Sequence, residues 1–569
     1  MRQMTVNQFL VKELNRLDIV DFFGLPGDYN FHILEAIEQN KKTNWIGCTN
    51  ELNAGYSADG YARINGFAAL VTTYGVGELS AMNAIAGAYA ENVAVMNIVG
   101  MPSTNEIVDN KVLHHNFIQP NYYACSDAYS NFVQASVILN KYEALEQMKN
   151  ILSIFIKERK PVYIGIPKNI GEMVVDVDDV MIEVFQSDEK KLQQALEHFF
   201  KVFEKSANPV ILGDILIERF ASKDVFKDFV LQMNIPVTTL LMGKGLVDER
   251  YDKFLGTYLG MVENVQVYNK VSSSDCVISV GTIFSDFNTM DFDIPFRSSD
   301  FVEIQGTYTI IEQKIYEDIL MKDILSAIVK SISLRKKVVE NNVSCPIGSN
   351  YSADENFKSM SVDKENKIWE QKEVSLNFEY FTNSFQEFLK KDDIIIADTG
   401  MITFSLPLMN FPCGCLFISQ LLWGAIGWAT PATFGVGCAL GKNEKRVILL
   451  TGEGSHQLTF QSVSNMIKNR QKPIIFILNN SGYAIERVLS DNSNDNYNDV
   501  ISWDYTKLIK AFSDEIWSAK VYTNLELDSA LEEANLYHGD KLCYIELFID
   551  KNDYPYLMKK MLENKRFKR

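Results

Sequence analysis

The sequence predicts an α/β protein built from three doubly wound parallel-sheet domains. Short apolar runs alternate with helical stretches along the chain, and several of these runs end directly in Gly, Asp or Asn. This order of strand, loop and helix is typical of parallel sheets covered by helices on both faces. Their ligands bind beyond the carboxyl ends of the strands. The predicted strands span residues 68–73, 93–99, 162–166, 210–212, 277–280, 394–397, 447–450 and 474–478.

Two polar stretches divide the chain. Residues 171–190 are acidic and show no clean period, and residues 340–367 are rich in Asn and Ser. A chain of 569 residues is also too long for a single core. We therefore predict domains at residues 1–180, 190–340 and 368–569.

Composition excludes some classes of partner. The chain carries 55 Lys and Arg against 73 Asp and Glu, a net charge of −18, which disfavours binding to nucleic acid. The eight cysteines form no CxxC pair and indicate reduced thiols in a cytoplasmic protein. The N-terminus has the pattern of an amphipathic helix, and no apolar run is long enough to predict a membrane span.

The third domain holds the strongest motif. One predicted strand ends in the sequence GEGS at residues 452–455, and the next ends in the two asparagines 479–480. Glycines let backbone N–H groups approach a phosphate, and a carboxylate and an amide from neighbouring strand ends can share Mg²⁺. A lone GxG is more often a tight turn, but the paired strand ends favour a phosphate and metal site.

This spacing resembles the GDG and NN motif of the thiamine diphosphate enzymes. The resemblance implies Mg²⁺ ligands at Glu453, Asn480 and the Gly482 carbonyl. It also implies contacts to the cofactor from Gly454, Ser455, Tyr483 and Met401.

Two positions depart from the family pattern, in which Asp stands at 453 and a hydroxyl residue at 401. Because Mg²⁺ tolerates little deviation from octahedral geometry, the longer Glu453 predicts weaker metal retention than Asp would give.

The first domain contains the stretch ELNAGYSADGYAR, which begins at Glu51. A glutamate at a strand end is usually a solvated cap, but this stretch resembles the pyrimidine-binding domain of the same family. There the glutamate activates the cofactor through its aminopyrimidine ring. In residues 420–428 the resemblance implies that Ile426 bends the cofactor and that the Gly424 carbonyl holds its amino group, while Trp423 is predicted to pack in the core.

A set of acids and histidines suggests proton transfer. Asp28 follows a tight turn, His114 and His115 are adjacent, and Glu486 lies just beyond the predicted metal loop. An isolated histidine pair is more often structural, but these contexts resemble the 2-oxo acid decarboxylases, the group of pyruvate and indolepyruvate decarboxylases. The reaction that they catalyse requires proton donors and acceptors.

The same resemblance implies a substrate pocket and an assembly. The pocket residues would be Phe287, Thr399, Thr403, Phe404, Ile485 and Leu489. They favour pyruvate or a short aliphatic 2-oxo acid, although residues 427–435 look closer to decarboxylases of indolepyruvate, phenylpyruvate or branched-chain acids. The resemblance also implies a homodimer or homotetramer, with thiamine diphosphate and Mg²⁺ bound between the first domain of one chain and the third domain of another.

Other classes stay open at this point. A carboligase of the acetolactate type is the nearest rival within the family. A weakly active paralogue that serves as a binding partner is another, because Glu453 and Met401 depart from the pattern. A dinucleotide oxidoreductase is disfavoured because no GxGxxG follows a first strand.

Overall fold

The computed structural model describes residues 2–177, 185–295, 301–341, 374–443 and 445–563. Within these ranges the chain forms three main sheets and one short two-stranded ribbon. The predicted α/β class with three domains is confirmed. No helix in these ranges is long and apolar enough to cross a membrane.

The N-terminal domain contains the predicted amphipathic helix, which spans Val6–Asn15 and is preceded by a short strand, Arg2–Thr5. Its strands are β1 (Arg2–Thr5), β2 (Asp21–Gly24), β3 (Asn44–Gly47), β4 (Ala68–Thr73), β5 (Val95–Met101), β6 (Ala135–Ile138), β7 (Val162–Pro167) and β8 (Val174–Val177). Its helices are α1 (Val6–Asn15), α2 (Phe31–Gln39), α3 (Glu51–Asn65), α4 (Val76–Ala90), α5 (Thr104–Val108), α6 (Ala124–Tyr129), α7 (Ala144–Glu158) and α8 (Lys168–Gly171). The main sheet is parallel, in the order β3-β2-β4-β5-β7-β6.

The first predicted linker is wrong in part. Strand β8 lies within it and pairs antiparallel with β1. This pairing ties the end of the first domain back to its beginning. Residues 178–184 and most of the second predicted linker lie outside the described residues, as do the domain limits at 180 and 368.

The central domain contains a mixed sheet in the order β11-β10-β9-β12-β13-β14-β15. Its strands are β9 (Pro209–Gly213), β10 (Val237–Thr239), β11 (Phe254–Thr257), β12 (Cys276–Val280), β13 (Phe301–Ile304), β14 (Tyr308–Ile311) and β15 (Lys314–Glu317). Its helices are α9 (Glu189–Phe203), α10 (Leu216–Arg219), α11 (Lys223–Met233), α12 (Val265–Ser272) and α13 (Met321–Asn341). Strands β9 to β13 form the predicted parallel sheet, and β14 and β15 extend it with an antiparallel edge.

Short connections explain the antiparallel part of this sheet. Strands β14 and β15 are joined only by Glu312 and Gln313, both with positive φ. A two-residue loop of this kind makes a hairpin, whereas a parallel pair needs a crossover of a dozen or more residues.

The C-terminal domain repeats the topology of the first. Its strands are β16 (Ile394–Ala397), β17 (Leu416–Ser419), β18 (Val447–Gly452), β19 (Ile474–Asn479), β20 (Trp517–Val521) and β21 (Cys543–Phe548). Its helices are α14 (Phe378–Phe388), α15 (Ala429–Leu440), α16 (Glu453–Thr459), α17 (Ser462–Lys468), α18 (Ala484–Leu489), α19 (Tyr505–Lys510), α20 (Asn524–Tyr537) and α21 (Tyr556–Glu563). The order β17-β16-β18-β19-β21-β20 matches that of the N-terminal sheet. If the six strands of each main sheet are numbered along the chain, both sheets have the order 2-1-3-4-6-5.

Helices α3 and α15 join the first and last domains. Each helix follows the strand that comes second along the chain in its main sheet. A Cβ at Gly60 would lie 2.2 Å from the Ala432 carbonyl oxygen, and one at Gly435 would lie 1.8 Å from the Ser57 carbonyl oxygen. Because neither glycine has a side chain, the two backbones can approach this closely. Buried Trp428 also donates its indole N–H to a carboxylate of α3 at 3.1 Å.

Candidate active site

Glu51 lies at the carboxyl end of the N-terminal sheet. It is the first residue of α3, and the side chain of Asn50 caps that helix by accepting the N–H of Asn53. The Glu51 carboxylate approaches the start of α4, where a Cβ on Gly77 would lie 3.3 Å from Oε1. Glycine at 77 therefore leaves room beside a half-buried carboxylate.

The same end of the sheet gathers Asp28, His114 and His115. The His114 Nε2 and Asp28 Oδ2 atoms are 2.9 Å apart, and His115 Nε2 lies 4.0 Å from Asp28 Oδ1. Tyr74 donates its hydroxyl to the His114 carbonyl oxygen, and burial holds the pKa of Tyr74 above its ordinary value, so the hydroxyl stays a donor. A histidine hydrogen-bonded to a carboxylate can hold and transfer a proton.

Glu453 supports the loop after β19. Its Oε1 accepts the backbone N–H of Asn480 at 3.1 Å and that of Gly482 at 2.7 Å. The side chain is buried, and burial raises its carboxyl pKa to about 7. Asn480 Oδ1 is also buried and has no hydrogen-bond partner within the described ranges. A buried carboxylate beside a partnerless amide oxygen fits a cation that takes oxygen ligands, such as Mg²⁺.

The residues predicted to meet the diphosphate adjoin this loop. Gly454 and Ser455 are buried in the first turn of α16. A Cβ on Gly454 would lie 2.5 Å from the Tyr483 ring, so glycine is needed for the tyrosine to pack there. Met401 is buried in a 3₁₀ turn that begins just after the end of β16.

A carboxylate of the first domain holds the segment that contains Gly424 and Ile426. The Glu91 Oε1 atom accepts the backbone N–H of Leu422 at 2.8 Å and that of Trp423 at 3.3 Å. The prediction that Trp423 packs in the core is wrong. Its side chain is 43% exposed, and it donates its indole N–H to the side chain of Asn83, which lies on helix α4.

The predicted substrate pocket is brought together only in part. The rings of Phe287 and Phe404 lie 6.0 Å apart, and Ile485 packs on the same apolar cluster. Thr399 and Thr403 flank this cluster and bond to backbone carbonyls. Leu489 is 52% exposed and is not part of the cluster.

Glu486 stands apart from the other predicted proton-transfer residues. It is exposed on α18, and no hydrogen bond or ion pair in the described part of the chain joins it to Asp28 or the two histidines. Among the described residues, no hydrogen bond or ion pair joins the group around Glu51, with Asp28 and the two histidines, to the group around Glu453.

Both groups coincide with domains that match known families. Residues 4–124 match the family described as the N-terminal TPP binding domain of thiamine pyrophosphate enzymes. Residues 196–328 match the central domain of these enzymes, and residues 398–547 match their C-terminal TPP binding domain. The chain belongs to the thiamine pyrophosphate enzymes. The resemblance inferred from the motifs is thereby confirmed.

Relatives of this thiamine pyrophosphate enzyme match along nearly their full length. The pyruvate decarboxylase of Kluyveromyces lactis is 32% identical over 98% of this chain and 97% of its own. Pyruvate decarboxylase isozyme 3 of Saccharomyces cerevisiae is 32% identical with the same coverage. Pyruvate decarboxylase 1 of Pisum sativum is 32% identical over 96% of this chain and 91% of its own.

The sequence patterns do not predict two residues at the site of this thiamine pyrophosphate enzyme. Glu91 holds the segment before Gly424, and buried Arg487 contacts the loop that carries Gly482. Glu91 lies at the end of helix α4 and Arg487 lies on helix α18, positions at which a charged residue is usually solvated. Their burial is the only signal that distinguishes them, and it is not visible in the sequence.

Proposed function

We propose that this enzyme catalyses the non-oxidative decarboxylation of a 2-oxo acid to an aldehyde and CO₂, with pyruvate or a short aliphatic acid preferred. The observation that carries the proposal is the hydrogen-bonded Asp28 and His114 pair, with His115 beside it, at the same sheet end as Glu51. Pyruvate decarboxylases among the relatives support the same reaction.

The residues around Glu453 are proposed to hold the cofactor and its metal. Glu453, Asn480 and the Gly482 carbonyl would bind Mg²⁺, and Gly454, Ser455 and Tyr483 would hold the diphosphate. Gly424, Ile426 and Met401 would contact the rest of the cofactor. When bound, thiamine diphosphate supplies an electron sink for the negative charge that remains as CO₂ departs.

The side chains of the enzyme itself would then transfer the protons. Decarboxylation replaces a carboxylate with one hydrogen, so a proton must reach the former carbonyl carbon. We assign this transfer to the Asp28 and His114 pair, with His115 as its neighbour. Glu51 would hold a proton against the aminopyrimidine, and Glu486 would serve as a further carboxylate at the site.

The apolar cluster favours a small substrate. The rings of Phe287 and Phe404, together with Ile485, leave a compact apolar surface beside Thr399 and Thr403. Each methylene in such a pocket discriminates by only about 1–3 kcal/mol, so several short acids would react.

Steady-state rates test the substrate preference. We would compare pyruvate, 2-oxoisovalerate, phenylpyruvate and indolepyruvate in an assay that follows the aldehyde. We expect pyruvate to have the highest kcat/KM. A preference of about tenfold for phenylpyruvate, which a compact apolar pocket does not allow, would contradict this assignment.

We also propose that the active enzyme is a homodimer or homotetramer. Large apolar side chains are exposed near both groups of the site, at Val76 and Leu79 on α4 and at Leu422, Trp423 and Leu458. A second copy of the chain would cover them and bring the two groups together. Sedimentation equilibrium should give two or four times the chain mass of 64.7 kDa; an active monomer would contradict the proposal.

A further inference from the structure

The peptide between Ser481 and Gly482 is held from both sides. Its carbonyl oxygen accepts from Arg487 Nη2 at 2.7 Å. Its N–H donates to Glu453 Oε1, also at 2.7 Å. Because the C=O and N–H of a trans peptide point in opposite directions, these two contacts fix the rotation of the peptide plane. A cationic and an anionic side chain thus clamp the one peptide that precedes the Gly482 carbonyl.

The backbone of this loop needs such support. Ser481 has a φ of +62°, a left-handed conformation that costs a non-glycine residue free energy. A Cβ at Gly482 would lie 2.2 Å from the Asn498 carbonyl oxygen and 2.3 Å from Arg487 Nη2. The loop is therefore packed directly against the guanidinium group, and any side chain at 482 would force the loop or its neighbours to move.

Arg487 also ties the loop to the segment that follows α18. Its side chain is only 2% exposed, its Nη2 lies 2.7 Å from Asp499 Oδ1, and its Nη1 donates to the Ser493 carbonyl oxygen at 3.3 Å. A buried cation is tolerated only when acceptors surround it. The planar fork of arginine reaches these acceptors together, which the single ammonium group of lysine cannot do.

We infer that Arg487 is a positioning residue for the proposed magnesium site. By holding the 481–482 peptide against Glu453, it fixes the orientation of the loop that carries the Asn480 side chain and the Gly482 carbonyl. This inference rests on the proposed function. It concerns how this chain positions the loop after β19, and Arg487 itself would hold that loop rather than bind the cation.

Mg²⁺ affinity tests the inference independently of turnover. We would titrate MgCl₂ into the full-length protein saturated with thiamine diphosphate, following heat or tryptophan fluorescence, well below the unfolding midpoint of every variant. Residues that orient metal ligands typically change affinity about 10- to 100-fold when replaced. We expect a loss of that size for Arg487→Gln and partial rescue for Arg487→Lys. Arg250→Gln removes an exposed arginine paired with Asp248 in the central domain and should stay within about twofold.

The possible outcomes distinguish a failure of the role inferred for Arg487 from a failure of the proposed function. If the wild type binds Mg²⁺ with thiamine diphosphate and both Arg487 variants bind within about twofold of it, the clamp is wrong and the proposed function stands. If the wild type takes up no cofactor with saturating Mg²⁺, both are wrong. Should Arg487→Gln fail to fold, Arg487→Lys decides the matter: weaker Mg²⁺ binding supports the clamp, and wild-type affinity overturns it.

Discussion

Shortening Glu453 by one methylene tests how the loop that carries the proposed Mg²⁺ ligands Asn480 and Gly482 is held. The Oε1 atom accepts two backbone N–H groups, at 3.1 Å from Asn480 and 2.7 Å from Gly482. Glu453→Asp withdraws the carboxylate by about one C–C bond, roughly 1.5 Å. Both N···O distances then exceed the usual limit of about 3.2 Å unless the loop moves.

The expected loss follows from these two contacts. A hydrogen bond to a charged group contributes about 1.5–3 kcal/mol, so the pair contributes at least about 3 kcal/mol to the order of the loop. If half of this minimum reaches metal binding, the dissociation constant for Mg²⁺ rises about tenfold. The family pattern predicts the opposite sign, because the longer glutamate would push its oxygen away from the octahedral position.

Calorimetry distinguishes the two arguments. Mg²⁺ and thiamine diphosphate would be titrated into the wild type, Glu453→Asp and Glu453→Gln under identical conditions. Glu453→Gln is the matched control, since it keeps the length of the side chain and removes its charge. Equal or tighter binding by Glu453→Asp would refute the reasoning from the loop contacts and support the reasoning from the family pattern.

Four further predictions follow from other parts of the molecule. Glu51→Gln should lower kcat by at least about 10²-fold while calorimetry shows unchanged cofactor affinity; intact turnover would contradict its role. Asp28→Asn should slow aldehyde release by a similar factor in a coupled assay, and a wild-type rate would remove it from proton transfer. Gly435→Ala places a Cβ 1.8 Å from a carbonyl oxygen of α3 and should destabilise the protein by about 1–3 kcal/mol in thermal unfolding. Gly47→Ala is the control, because its Cβ would meet nothing nearer than 3.5 Å; equal unfolding midpoints for the two variants would refute the close packing. Burial raises the pKa of Asp214 from 3.8 to about 7, so the native state binds more protons in that window and stability falls as pH rises from about 4 to 7; Asp214→Asn should make this slope less steep in urea titrations, and an unchanged slope would contradict it.

Buried parallel strands were the most predictable elements. The strands at Ala68–Thr73 and Ile394–Ala397 coincide with their predicted limits, and every residue in both is buried. Strand β5 begins at Val95 rather than at residue 93, because the chain is still in a turn at Asn92. A continuous apolar run identifies a strand covered on both faces, but it does not mark where the backbone begins to pair.

Contacts between distant segments were less predictable. The mixed central sheet depends on hairpin loops of a few residues, and the matching strand order of the two outer domains depends on how their strands pair. The position of Trp423 depends on which segment covers it, since its exposure is set by α4 of another domain. Each of these features depends on which distant segments of the chain contact one another, and the local pattern of residues does not specify those contacts.

The sequence by itself determined the α/β class, the family and the positions of the chemical groups, because glycines, carboxylates and amides at strand ends carry their chemistry locally. Only the tertiary structure decided that Asp28 meets His114, that Glu453 and Arg487 hold the 481–482 peptide from opposite sides and that Glu91 holds the segment before Gly424. These pairs are separated along the chain or stand on neighbouring turns where a charge is normally solvated. Burial turns them into specific contacts, because a buried charge must find a partner, and folding determines which partner is within reach.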